Sequence, residues 1–180
     1  MLHALPPRAW QAVMDECVFP LLQRLGADPL ASPPITRSRI LAAELLSKLF
    51  LRYLPALLAM RARFHLTFLN TLTAFERYVH LGRGTQARFQ FFSDSIAKDA
   101  CLHCIVLLPL SFSLVALLIS CQCAQLAESV RECVKNLLLV MSASGVFDAR
   151  QYATGGELWE LAWAVIDPFY PELRAELGTQ

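Results

Sequence analysis

Leu126–Phe147 reads LAESVRECVKNLLLVMSASGVF. Its apolar residues Leu126, Val130, Cys133, Val134, Leu137, Leu138 and Met141 recur three and four apart. They therefore share one face of an amphipathic helix, which should stop near Ser144-Gly145. The same period returns on both sides of this stretch. At the N-terminal end Pro6-Pro7 opens a helix, because proline suits a first helical turn, and Trp10, Val13, Met14, Cys17, Leu21, Leu22 and Leu25 mark its face. Pro20 falls inside that run and should kink it. Gly26 ends the helix, and GADPLASPP is a linker of turn residues.

A second helix is expected from an N-cap at Thr36 to about Met60, with Ile40, Leu41, Leu45, Leu49, Tyr53 and Leu57 as its buried stripe and a break at Pro55. A third spans Phe64–His80, with Phe64, Leu69, Leu72, Phe75 and Val79 inward and LGRG ending it. Beyond a loop at Val146–Gly155, a helix from about Gly156 carries Leu158, Trp159, Ala162, Trp163 and Ile166. Pro168 and Pro171 set off a short terminal helix, PELRAEL. No alternating pattern long enough for a strand occurs. The expected fold is all-α, a helical-repeat segment of the α-solenoid or armadillo-like kind, although no repeat shows in the sequence itself.

One segment departs from this pattern. Between Asp99 and Glu128 there is no charged residue, and its centre, Ile105–Ser120, reads IVLLPLSFSLVALLIS. About 20 residues of apolar helix cross a bilayer core, so 101–121 is a candidate transmembrane helix. The chain accordingly divides into helical hairpins at 1–84, an apolar insert at 85–123, and a second helical region at 124–180.

Composition narrows the function. Of 180 residues 56% are apolar, above the ordinary range for a soluble domain, and much of the excess lies in the insert. Sixteen basic residues face 15 acidic ones, so no basic stripe points to nucleic acid. MLHALPPRAW lacks the basic and apolar regions of a signal peptide, and the six cysteines are read as thiols of a chain in, or facing, the cytosol.

Four features of the sequence bear on chemistry. Cys101-x-x-Cys104, with His103 between, and Cys121-x-Cys123 pair four thiols. As a helix, the residues between the pairs would hold Cys104 and Cys121 about 25 Å apart, too far for one zinc. No metal site is expected, and buried or interfacial thiols are the better reading. His3, His65, His80 and His103 lie in no nucleophile or base motif. Gly82-Arg83-Gly84 is too short for a phosphate loop and follows a helix. Glu157 and Glu160 read as a solvated face, and Trp159 and Trp163 as core anchors rather than a ligand cage. No catalytic residue, cofactor site or small-molecule substrate is expected.

Two blocks carry a family resemblance. The first is TRSRILAAELLSKLFLRYLPALLAM at Thr36–Met60, continued by Phe75-Glu-Arg-Tyr-Val-His80. The second is Leu126–Phe147, followed by LWELAWAVIDPFYPELRAEL at Leu158–Leu177. In order and spacing these resemble the far C-terminal helical region of the Golgi brefeldin A-resistance factors, large guanine-nucleotide exchange factors for Arf GTPases. With Trp10 and Cys17–Leu22 the resemblance covers about three quarters of the chain. It implies a partial chain without the exchange domain, hence no enzyme by itself. It also implies a cytoplasmic scaffold or regulatory segment, peripheral to early Golgi membranes. Its partners would be the Arf and Golgi trafficking machinery and the upstream part of its own family chain.

In the family pattern the ERYVH-like helix passes through a short loop to the LAESV-like helix, whereas here 85–123 intervenes. Its Leu, Ser, Phe and Cys codons are pyrimidine-rich and the run ends in Cys121-Gln-Cys123, as a retained intron read in frame would. The alternative to a scaffold segment is a single-pass membrane protein anchored through 101–121.

Overall fold

The computed structural model describes residues 6–27, 33–59, 61–99, 108–148 and 155–177. Every regular element among them is helical, in agreement with an all-α helical-repeat segment. Pro6, extended at φ −60° and ψ 150°, caps α1 (Pro7–Ala12). Pro20 does not break this helix. A π-helical segment, Val13–Val18, absorbs it, with the Phe19 N–H reaching the Met14 carbonyl, and α2 (Phe19–Ala27) follows directly. A proline ring clashes with the carbonyl four residues back, and the wider π turn relieves that clash. It also shifts the phase of the buried face. Met14, Phe19 and Leu22 are buried, whereas Cys17 and Leu21, expected on the same face, are exposed.

Helix α3 (Pro33–Arg52) begins ahead of the expected Thr36, with its two prolines in the first turn. It ends at Tyr53, and α4 (Leu54–Ala59) resumes. Pro55 has no N–H to continue the ladder, so the break falls where Pro55 placed it. The α3 stripe read from sequence is corrected by the structure. Leu41 and Leu45 are 53% and 57% exposed, and Ile40, Leu49 and Tyr53 are half-buried; of that stripe only Leu57 is fully buried. The buried line is Arg39, Ala43, Leu46, Ser47 and Phe50. Two polar residues sit on it because both are satisfied: Arg39 Nε donates to the Leu25 carbonyl at 2.9 Å, and Ser47 is hydrogen-bonded to Cys133.

Helix α5 (Arg61–Asp99) runs through LGRG, where an end was expected. Neither Gly82 nor Gly84 takes the left-handed conformation that stops a helix; among the described residues only Gly145 does, at φ 69°. Phe64, Leu72, Phe75 and Val79 are buried as expected, Leu69 is half-buried, and Phe68 and Tyr78 join them.

Helix α6 (Leu108–Ala143) places the end of the apolar run and the Leu126–Met141 stretch in one element. All seven residues of its expected face are buried. Its end is a Schellman turn: Val146 N–H reaches the Met141 carbonyl at 3.1 Å, and Gly145 N–H the Ser142 carbonyl at 2.9 Å. The connection between α5 and α6 is far shorter than either helix, so they lie antiparallel. The boundaries of the insert, at 84 and 123, fall inside α5 and α6.

Residues 101–107 of the candidate membrane segment lie outside the described residues, and the rest open α6. Among the described residues no helix is long and apolar enough to cross a membrane, so the strongly hydrophobic spanning helix finds no support.

Helix α7 (Gly155–Ile166) packs on α5, α3 packs chiefly on α6, and α8 (Pro171–Leu177) closes the chain. One continuous core runs from Met14 to Leu173.

Candidate functional site

The C-terminal third gathers Glu157, Trp159, Glu160 and Trp163 of the groups that the sequence singled out. Gly155 begins α7 so close to the preceding turn that a Cβ there would lie 2.8 Å from the Phe147 carbonyl carbon. That approach seats Trp159 against Phe147, with ring centroids 4.8 Å apart. Trp163 meets Trp159 edge-on at 5.3 Å and is wholly buried. The Arg174 guanidinium lies 5.7 Å from the centre of the Trp163 ring. Both tryptophans are thus core anchors, and no cage opens between them.

The charges nearby fasten helices to one another. Glu176 of α8 takes hydrogen bonds from Arg131 and, at 3.2 Å, from Lys135 on α6. Hydrogen bonding from Lys135 and the charge of Arg131 hold its carboxyl below the usual range. Arg174 pairs with Glu160 at 3.0 Å and with Asp167 at 3.3 Å. Glu160 is therefore ion-paired on its solvated face, while Glu157 is exposed. Arg83, between the two glycines of LGRG, donates to the Phe169 carbonyl at 3.0 Å, and the Tyr170 hydroxyl donates to the Ala127 carbonyl. The LGRG segment, too short for a phosphate loop, ties α5 to the α7–α8 turn through Arg83.

The remaining candidates do not converge. Cys101, His103 and Cys104 lie outside the described residues, as does His3. Cys121 is exposed and Cys123 buried on α6. Burial pushes the Cys123 and Cys133 thiols up, away from the thiolate that metal binding or nucleophilic attack needs. No group of His, Cys, Asp and Glu among the described residues could hold a metal ion. His80 faces Glu76 one helical turn away at 3.6 Å, and His65 lies against the Phe64 ring.

A shallow depression of about 320 Å³ is lined by Leu138, Leu139, Ser142, Phe147, Gly156, Trp159 and Leu177. Ligand sites use several placed polar groups to orient a small molecule, and no charged or amide side chain lines this one. What the arrangement offers is helical surface.

Sequence reading missed Arg39, Tyr78 and Arg83 as structural residues. Tyr78 donates to the Leu22 carbonyl at 3.2 Å; burial pushes its hydroxyl up to about 12, against a smaller opposite pull from Arg39. The available signal was position: Arg39 lies four residues before Ala43 and seven before Leu46, on the core line.

The family described as the GBF1-like tetratrico peptide repeat region matches residues 1–173. The chain belongs to that family. It is also 30% identical over 173 residues to the ARF guanine-nucleotide exchange factor GNOM of Arabidopsis thaliana. That alignment takes in 93% of this chain but 9% of GNOM, so the chain corresponds to a small part of that relative's length. No solved structure matches. For a GBF1-like repeat region the long α5–α6 pair is intelligible: helical repeats bury their apolar faces against neighbouring helices and keep their outer faces for contacts.

Proposed function

We propose that this chain is a non-catalytic scaffold and regulatory segment of a large Arf guanine-nucleotide exchange factor, acting in membrane recruitment and vesicle traffic at the early Golgi. The observation that carries the reading is the family match across residues 1–173, to a region described as repeats. The geometry is in keeping with it: the polar residues of the C-terminal third fasten helices to one another. Its partners are the Arf and Golgi trafficking machinery and other parts of the exchange factor, and its place is the cytoplasmic side of cis-Golgi membranes, as a peripheral protein. The helical segments 85–99 and 108–123 are two arms of similar length added to the ends of an antiparallel pair. Such an insertion lengthens the hairpin without disturbing the register of its older part.

The test is nucleotide release from purified Arf in the presence of purified chain. The expected rate equals the spontaneous one at every concentration. A reproducible, concentration-dependent acceleration overturns the non-catalytic assignment.

A further inference from the structure

Helix α8 is short, acidic and amphipathic. Its sequence, PELRAEL, sets a leucine directly after each glutamate, one helical turn apart. Leu173 is buried and Leu177 half-buried, while Glu172, Arg174 and Glu176 are exposed. Its seat is one face of α6. Just ahead of α8 the Tyr170 hydroxyl donates to the Ala127 carbonyl. Glu176 then accepts from Arg131 and Lys135, and Leu177 meets the depression at Leu138 and Leu139. Rising positions on one element meet rising positions on the other, so α8 runs in the same direction as α6. A helix continued past Leu177 would therefore pass over the depression toward Ser142, between Leu139 and Trp159. The described residues leave those 320 Å³ open.

The hold on α8 is of a kind that exchanges. Arg174 with Glu160 and Asp167, and Glu176 with Arg131 and Lys135, are surface ion pairs, and such pairs gain little over water. Arg131 also faces Glu128 at 3.5 Å and Glu132 at 3.6 Å, so it keeps partners when Glu176 leaves. Under Arg174, 5.7 Å from the ring centre, lies Trp163. Its buried indole N–H has no hydrogen-bond partner among the described residues, a donor that the closed arrangement leaves unsatisfied.

We infer that the α6–α7 groove is a docking site for an acidic amphipathic helix of a partner protein, and that α8 is its built-in competitor. The partner carries the Glu-Leu-x-x-Glu-Leu pattern of α8 and further apolar residues one turn beyond it. Its second glutamate takes the place of Glu176 on Arg131 and Lys135, and the added apolar turn fills the depression. The occupant seen in the structure defines the chemistry: cationic turn first, apolar turn next. Docking requires α8 to leave, so the apparent affinity is the intrinsic one reduced by the fraction of chains whose α8 is displaced. This inference is independent of the Golgi assignment.

The probe is a fluorescent peptide, PELRAEL extended by AALL, titrated with the full chain and followed by anisotropy at about 0.05 M salt, where exposed charges are little screened. It should bind, and bind more tightly than PELRAEL alone, because the extension adds buried apolar surface. Glu176→Gln in the chain loosens the competitor and should tighten peptide binding about fivefold, which a purely structural α8 would not do. Lys135→Glu added to Glu176→Gln should weaken binding about tenfold, and a peptide with lysine at its second glutamate should regain the loss. Each variant is checked for an unchanged helical spectrum; should Glu176→Gln lose its fold, Leu177→Ala takes its place. Absence of binding to every folded form, or equal binding to the parent and the loosened chain, overturns the inference. So does a peptide-resistant dimer of the chain alone in sedimentation, which would give the groove to α8 of a second copy.

Discussion

Trp163 heads the side chains wholly removed from solvent. Truncating a buried aromatic to alanine costs about 3–5 kcal/mol, so Trp163→Ala should lower the melting temperature by many degrees; an unchanged melt would mean the indole is not packed as described. Gly155 gives a second expectation at this scale. A Cβ there meets backbone, at 2.8 Å from the Phe147 carbonyl carbon and 2.9 Å from the Val146 oxygen, and backbone gives way little. Gly155→Ala should cost about 1–3 kcal/mol by overpacking, read from the denaturant midpoint, and a neutral result would show that the α7 entry is loose. Tyr78 adds a pH dependence. Its folded hydroxyl sits near 12 against an unfolded value of 10.0, so its contribution is complete below pH 10 and declines as pH rises toward 12. Tyr78→Phe should lose less stability than the parent between those limits. Parallel declines would mean that other groups govern the alkaline limb.

At the scale of elements, the helix around Leu126–Met141 was legible in full, because its seven apolar positions face the core and its stop signal is a glycine that takes the left-handed turn. On α3, a count of leucines chose the wrong phase. Arg39 and Ser47 occupy the buried line through specific hydrogen bonds, and nothing in periodicity announces a satisfied polar group. Two glycines in LGRG suggested an end, but each costs a helix only about 1 kcal/mol, less than packing along a long neighbour returns. The segment read as an insert has no boundary in the structure, since α5 and α6 run through residues 84 and 123. If 85–123 is an insertion into two antiparallel arms, deleting Thr85–Cys123 should leave the remaining hairpin joined directly and give a more monodisperse protein in size-exclusion chromatography. Aggregation of the shortened chain, with the parent staying dispersed, would show that the added arms are part of the packed core.

For the whole molecule, the fastenings of the C-terminal third were not legible in the sequence, because Glu160, Arg83 and Glu176 find their partners on other elements. The family match over residues 1–173 turns that arrangement into a scaffold reading. Its central claim is that the region serves recruitment and not exchange. The direct measurement is the membrane-bound fraction, at the early Golgi, of the complete exchange factor and of the same factor with this region removed. The expected result is a lower bound fraction for the shortened factor, with its exchange rate on soluble Arf unchanged. An undiminished bound fraction would contradict the account.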